Sequence, residues 1–421
     1  MAFTAAVLVA AAVFYTGWAV LGAQGLEPEH RIDSKTLFDL VKLAFGVVAG
    51  AGALVALVVA YRRQRVDEDG ALREDTRLHT ERFTAAVAQL GDVSAAVRLG
   101  GVHALAGLAD DAPTRGLRQT CIDVLCAYLR LPHAVEADLA TDNAQARHAF
   151  VALREVRHTI IRLIRDHLRL HPDHPHSWQG HDFDLTEVTF DGGDLSDVNF
   201  SGGTVDFSRA TFASGEVDLS GARFSGALVK FIRTTFTGGE VHFNRASFSE
   251  GMIPFYGATF SDGVVDFSEA IFSGGLVDFS DVGFSGGLVH FSGVAFAGGL
   301  VHFTEARFSG GEVVFHKAEF SGGEVHFSTA EFSGGTVYFD GATFVRGTIP
   351  FNGALFSGGT VHFDRSEFSD ATISFNTAEF SGSRVDFSNA MGIPPLGLVR
   401  PQWSSLPAGL ILPAEWLPPV A

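Results

Sequence analysis

The chain has 421 residues, room for two or three domains, and a formal net charge of −18. Residues 181–390 hold 27 Asp and Glu against 10 Lys and Arg, so this half carries nearly all of the excess. Phosphate contacts need a positive field, so direct nucleic-acid binding through this surface is disfavoured; Cys121 and Cys126, five apart on a predicted helix, face different sides and fit a reducing compartment better than a disulfide.

Residues 1–26 contain no charged side chain, and residues 43–61 form a second uncharged, apolar run. Each is long enough to cross a bilayer as a helix. No Lys or Arg precedes the apolar core of the first run, so it does not read as a signal peptide. Arg62, Arg63 and Arg65 follow the second run directly, whereas Arg31, Lys35 and Lys42 lie between the two. The positive-inside rule then puts both termini in the cytoplasm. Gly46 and Gly50 form a small-xxx-small pair that would let the spans pack closely, unless they are simply tolerated in an Ala/Gly-rich helix. Residues 1–65 are therefore expected to form a two-span transmembrane hairpin in a multi-pass protein of the cell membrane.

Residues 66–177 read as a small helical domain. Phe83, Val87 and Leu90 share one helix face, as do Leu99, Val102, Leu105 and Ala106. Gly91 and Pro113 punctuate the helices. Ile122, Leu125 and Leu129 continue the spacing, and Val156, Ile160, Ile161 and Ile164 begin another stripe. His171, His174, His176 and His181 follow in a Pro-containing linker. Imidazoles bind zinc or nickel, but no Cys stands beside them, and a solvated hinge is the simpler reading.

From residue 183 to residue 387 the large apolar residues keep a fixed rhythm. Leu185, Phe190, Leu195 and Phe200 step by five; then steps of seven and five alternate through Phe207, Phe212, Leu219, Phe224 and Phe231 to Phe380 and Phe387. A fixed period is the mark of a repeat fold. In residues 325–336, Val325 and Phe327 are two apart, as are Ala330 and Phe332. Spacing of two puts both members of a pair on one face of an extended segment, with His326 and Glu331 on the other. Most seven-residue steps contain Gly-Gly, as at Gly202-Gly203, which suits a corner needing positive φ. A calcium-binding turn would need a regular Asp after the glycines, and here stand Thr204, Glu240, Leu276, Leu288 and Leu300.

The five-residue step, with a small residue two positions before a central Phe or Leu, resembles the pentapeptide-repeat family over roughly residues 183–390. The resemblance implies a right-handed parallel β-helix with four pentapeptides per coil. The two-residue insertions depart from the family pattern. Insertions at two corners give a coil of 24 residues; a coil of 12 is the rival. Two Phe rings per 12-residue coil would overcrowd a narrow core, so 24 is preferred. Two segments upstream, residues 81–91 and residues 97–105, resemble a stretch that precedes pentapeptide repeats in actinobacterial membrane-associated proteins. The Arg-rich, Lys-poor composition agrees with a GC-rich bacterial genome.

The expected fold is thus an N-terminal transmembrane hairpin, a helical cap domain (66–177), a β-helix of pentapeptide-like repeats (178–390) and a Pro-rich tail (391–421). Trp178 and Phe183 are expected to plug the first coil, and Trp403, Leu410, Ile411, Leu412 and Trp416 to cover the last. His242, His290, His302, His326 and His362 take outward positions and read as a surface ladder. No nucleotide loop, no Ser/His/Asp or Cys/His grouping and no cofactor motif is visible, so no catalytic, cofactor-binding or metal residue is assigned. The expected function is a membrane-anchored, non-catalytic scaffold presenting an acidic β-helix in the cytoplasm to a protein with a basic surface. The alternative is a DNA-mimicking inhibitor of a DNA-binding enzyme such as gyrase, as some soluble pentapeptide-repeat proteins are.

Overall fold

The structure is a computed structural model that describes residues 33–132, 143–400 and 405–417, together with residues 11, 12, 14–16 and 18–20. The chain divides into two units, Met1–Glu74 and Asp75–Ala421.

Helix α1, Ser34–Leu90, begins in the first unit and contains the apolar run at residues 43–61. It is the one helix among the described residues long and apolar enough to cross a membrane. Leu43, Phe45 and Val48 on it are each at least 66% exposed, so this run is not part of a protein core. The first apolar run lies mostly outside the described residues, so one candidate span is seen, not a hairpin. Beyond the run the helix continues on polar (i, i+4) contacts: Gln64 donates to Glu68 at 2.9 Å, and Arg77 pairs with Glu81.

In the second unit, α2 (Ala95–Asp110), α3 (Arg115–Leu129) and α4 (Ala144–Arg169) pack by the predicted stripes. Thr114 caps α3 by accepting from Leu117 N, and Asn143 caps α4 by accepting from Ala146 N. Val102, Leu105, Ile122, Leu125, Val156 and Ile160 are fully buried. Cys121 and Cys126 are free and buried in the same core. Burial pushes their thiols up to about 11 and about 12, which leaves them unreactive.

The solenoid starts at Phe183. Every strand pair in it is parallel, and Val277, Val301 and Val325 are register partners in successive coils. The coil is therefore 24 residues. The first is 22, since Phe183 pairs with Val205 and Phe190 with Phe212. Its uninterrupted five-residue steps account for the difference. There are about nine turns. Each coil has four sides, for example Ile271–Phe272, Leu276–Asp278, Gly283–Phe284 and Leu288–His290. The first two belong to one sheet and the last two to the other. Gly-Gly bends the chain between two sides of one sheet, and a tight turn carries it across to the other.

The phenylalanines form four columns. Phe279, Phe303 and Phe327 stack with centroids 4.9 Å apart, and Phe291 stacks on Phe315 at 4.8 Å. Rings of these two columns meet edge to face, as Phe291 and Phe303 do at 5.8 Å and 86°. Both geometries suit the ring quadrupole, and each pair adds about 0.5–1.5 kcal/mol beyond the area it buries.

The tight turns hold a feature that the sequence reading missed. Ala330 N donates to Phe327 O at 3.2 Å across the turn, and Thr329 between them has φ 56°. Among the described residues, twelve non-glycine residues take such positive φ, including Glu269, Lys317 and Arg365. Gly221, Gly257, Gly293, Gly341 and Gly353 fill the same position in other turns. A left-handed backbone costs a β-branched residue about 1–2 kcal/mol, against a glycine entropy penalty of about 0.5–1 kcal/mol. Thr329→Gly is therefore expected to stabilise the solenoid by about 0.5 kcal/mol, raising the urea midpoint at unchanged slope. A lowered midpoint would refute this account of the turn.

Past Phe387 the tail closes the last coil. Leu410–Ile411 pairs with Val385 and Asp386. The Trp416 ring lies 5.4 Å from Phe368 and 5.7 Å from Phe387, and its Nε1 donates to Gly392 O at 2.9 Å. Leu410 and Trp416 are buried and Leu412 packs at the edge of the core; Trp403 lies outside the described residues.

Candidate functional site

The sites considered from sequence do not converge. His171 and His174 accept hydrogen bonds from the backbone two residues on, at 3.3 and 3.2 Å, and so shape their own linker. His181 is buried apart from them, with Nδ1 3.0 Å from Gln119 Oε1. Among the described residues no group of three His, Cys, Asp or Glu is placed to hold a metal ion.

One polar cluster that sequence reasoning missed joins the helices to the solenoid. Asp110, at the end of α2, accepts from Trp178 Nε1 at 3.2 Å and bonds His167 Nε2 at 3.1 Å. The His167 ring stacks on Trp178 at 4.0 Å, and its Nδ1 lies 2.6 Å from Leu163 O. Burial alone would lower the His167 pKa; the bond to Asp110 and the Leu163 carbonyl outweigh it and hold it above the usual value. Burial likewise works against the Asp110 carboxylate, yet His167, Trp178 and His176 hold its pKa below the ordinary range. Trp178 thus sits among the helices rather than plugging the coil, because its indole N–H finds a partner there. Phe183 is the first rung of the solenoid, not a plug.

The first coil is closed instead by α4. Ile161, Ile164 and Leu168 cover Leu185, Phe190 and Leu195, leaving a void of about 10 Å³, barely room for one water molecule. Side chains then satisfy the open edge. Arg154 Nη2 donates to Asp191 O at 3.1 Å, Arg157 Nη2 to Thr189 O at 2.7 Å, and Arg169 Nε to Ser196 O at 2.7 Å. From α3, Gln119 Nε2 donates to Asp182 O at 2.7 Å.

His181 belongs to this joint and makes it sensitive to acid. Burial, then the charges of Arg115 and Arg118, push its pKa down from 6.5 to about 4. The folded state therefore favours the neutral ring. That stability is fully present above the unfolded value and is lost as pH falls from 6.5 toward 4. The loss is of order 3 kcal/mol. His181→Gln is expected to flatten this part of the pH profile, read as the difference between variant and wild-type unfolding midpoints at pH 7 and pH 4.5. Parallel profiles would show that His181 titrates normally.

The predicted surface histidines all lie on outward positions. His242 is 3.3 Å from Glu240 and 3.7 Å from Glu216; His302 and His326 have rings 5.0 Å apart; and Tyr338 stacks on His362 at 5.1 Å. Each contact is with a neighbour on the same strand or on the adjoining coil, not a pocket. Asp218, His242 and Asp266 are register partners, with Glu216 and Glu240 beside them, which makes one side of the early coils strongly acidic. Another side is apolar. Leu228, Met252, Leu276 and Leu300 are register partners facing outward, with Met252 48% exposed. Leu276 and Leu300 each follow a Gly-Gly, and Leu228 and Met252 take the same place after Gly226-Ala227 and Glu250-Gly251, a signal visible in the sequence.

The family model described as Pentapeptide repeats (9 copies) matches residues 185–235. Neither the search of the curated proteins nor that of the solved structures gives a match. The matched stretch begins where the five-residue step is unbroken, and the same inward columns continue past it through Phe380 in register. A four-sided parallel coil built on that step, with Phe or Leu at its centre throughout, makes this chain a pentapeptide-repeat protein.

Proposed function

We propose that the protein is a membrane-anchored, non-catalytic scaffold whose acidic solenoid faces the cytoplasm and binds a protein with a basic surface. A pentapeptide-repeat solenoid is an interaction or scaffold architecture and is typically non-catalytic. The observation that carries the reading is the outward face itself. Roughly nine coils repeat the same solvent-facing positions, rich in carboxylates. The candidate span in α1 and Arg62, Arg63 and Arg65 after the apolar run support anchoring with this side inward.

Two measurements test it. Protease added to intact spheroplasts should leave the Phe-rich half uncut; ready digestion would invert the topology. A partner cross-linked in native membranes should be released as salt rises, because exposed charges are screened over about 10 Å at 0.1 M. Salt-insensitive binding would move the contact to the apolar ladder, the tail or the helices. Inhibition of gyrase supercoiling would favour the DNA-mimic reading, and a hydrolytic activity lost with one residue would end the scaffold reading.

A further inference from the structure

One outer face of the solenoid has the composition of a buried surface. It belongs to the sheet that contains Ile271–Phe272 and Leu276–Asp278. Leu228, Met252, Leu276 and Leu300 run along it as register partners, and Ile271 and Ala295 run beside them. Met252 is 48% exposed, Ile271 47% and Leu300 38%. The inward columns of the same coils already make a full core, so these side chains add nothing to it and meet water in a single chain.

The two ends of this strip differ in charge. Toward the helices Leu228 gives way to Thr204, and Arg223 and Lys230 stand on the same strand as Leu228. Toward the tail Leu300 gives way to Glu324 and Ala295 to Glu319. Apolar residues thus fill four coils, with cations at one end and carboxylates at the other. Such a strip is complementary to itself when reversed. A second copy turned end over end about an axis along the strands, midway between Met252 and Leu276, sets its Leu276 against Met252 and its Leu300 against Leu228. Its Glu319 then stands beside Arg223, its His302 opposite Lys230 and its His326 opposite Asp206. No carboxylate meets a carboxylate: Asp278 faces Pro254, Glu324 faces Thr204, Glu319 faces Asn199 and Glu250 faces Gly274. Copies running the same way, paired along the ladder, would instead set Glu324 on Glu324, a repulsion that specific interfaces avoid.

The face is also large enough. Strands Arg223–Lys230 and Ser247–Pro254 are eight residues long, about 26 Å, and six coils from Thr204 to Glu324 stack over about 29 Å. That is about 750 Å² per copy, close to the 800 Å² or so a side of a standard stable interface.

We infer that two copies of this chain pair antiparallel through this face, with Met252 against Leu276 at the centre. The acidic side at Glu216, Asp218, Glu240 and Asp266 belongs to the other sheet, so the pair keeps it on both outer surfaces.

The test uses the full chain in detergent micelles. Sedimentation equilibrium should give a dimer with a Kd at or below about 10 μM. Leu276→Asp, at an outward position, should keep the wild-type circular dichroism and weaken the dimer about 100-fold or more. Arg223→Glu should weaken it about tenfold, and Glu319→Arg in the same chain should restore it. Cross-linking reads the register. Cys121 and Cys126 are buried, so a cysteine placed on the outer face is the one that reacts. A mixture of Leu228→Cys and Leu300→Cys chains should join through a bismaleimide spanning about 10 Å, the spacing of packed sheets, and neither variant should join to itself. A monomeric wild type overturns the proposal, and so does a dimer indifferent to Leu276→Asp, which would place the contact elsewhere in the chain. Failure of the charge swap, or self-joining of Leu228→Cys, overturns the antiparallel pairing.

Discussion

Phe291→Asp is expected to break the solenoid in its middle, costing more than about 5 kcal/mol, whereas His290→Asp one residue away shifts stability by about 0.5 kcal/mol. Phe291 is fully buried. Its ring stacks on Phe267 at 4.9 Å and on Phe315 at 4.8 Å, and meets Phe279 and Phe303 edge to face. The substitution removes four ring contacts, opens a void in a column and sets a carboxylate among phenyl rings with no hydrogen-bond donor to receive it. Truncating a buried Phe already costs about 3–5 kcal/mol, and the unpaired charge adds to it. His290 sits on the outer face in register with Asp266, so a second carboxylate there adds only a weak repulsion. Since each coil contacts only its neighbours, the damage should also divide the array. Urea unfolding of Phe291→Asp is expected to lose its single transition and show separate ones for the early and late coils. Equal destabilisation by the two variants would refute the inside–outside assignment.

That assignment was legible because it rests on period alone. Columns such as Phe279, Phe303 and Phe327 follow once the seven-and-five step is read as half of a 24-residue coil, and crowding in a narrow core selects 24 from the sequence alone. The turns were not legible in the same way. Glu269, Lys317 and Thr329 share a left-handed backbone but no side-chain chemistry, because the coil above and below forces the turn whatever residue stands there. Only the glycines scattered at the same position, such as Gly293 and Gly341, hint at it. The apolar outer ladder of Leu228, Met252, Leu276 and Leu300 was hidden for the opposite reason. Its residues look like core residues, and only the register turns them outward.

The cap shows the same limit and carries the last prediction. Along α4, Arg154, Arg157, Arg165 and Arg169 share in closing the first coil, a role that no spacing in the sequence marks. Arg165 pairs with Asp194, and Arg154, Arg157 and Arg169 donate to backbone carbonyls at the coil's edge. These bonds hold only while the apolar face between them stays seated. Ile161 is the centre of that seat: a Cβ added to Gly193 would lie 2.9 Å from its Cδ1, so helix and coil are already as close as they fit. Ile161→Asp is therefore expected to cost about 3–5 kcal/mol and to lift α4 from the coil. An uncapped coil exposes unpaired backbone and the Phe columns, the condition under which sheets associate edge to edge. Hydrogen exchange should then lose protection at Leu185 and Leu195, whose amides bond to Asp206 O and Asp218 O, and spread coil by coil toward the middle. Sedimentation should show larger species growing with concentration. Arg162→Ala, on the exposed side of the same helix, should change neither. If Ile161→Asp leaves the first coil as protected as in the wild type, the solenoid ends itself without α4, and the capping account fails.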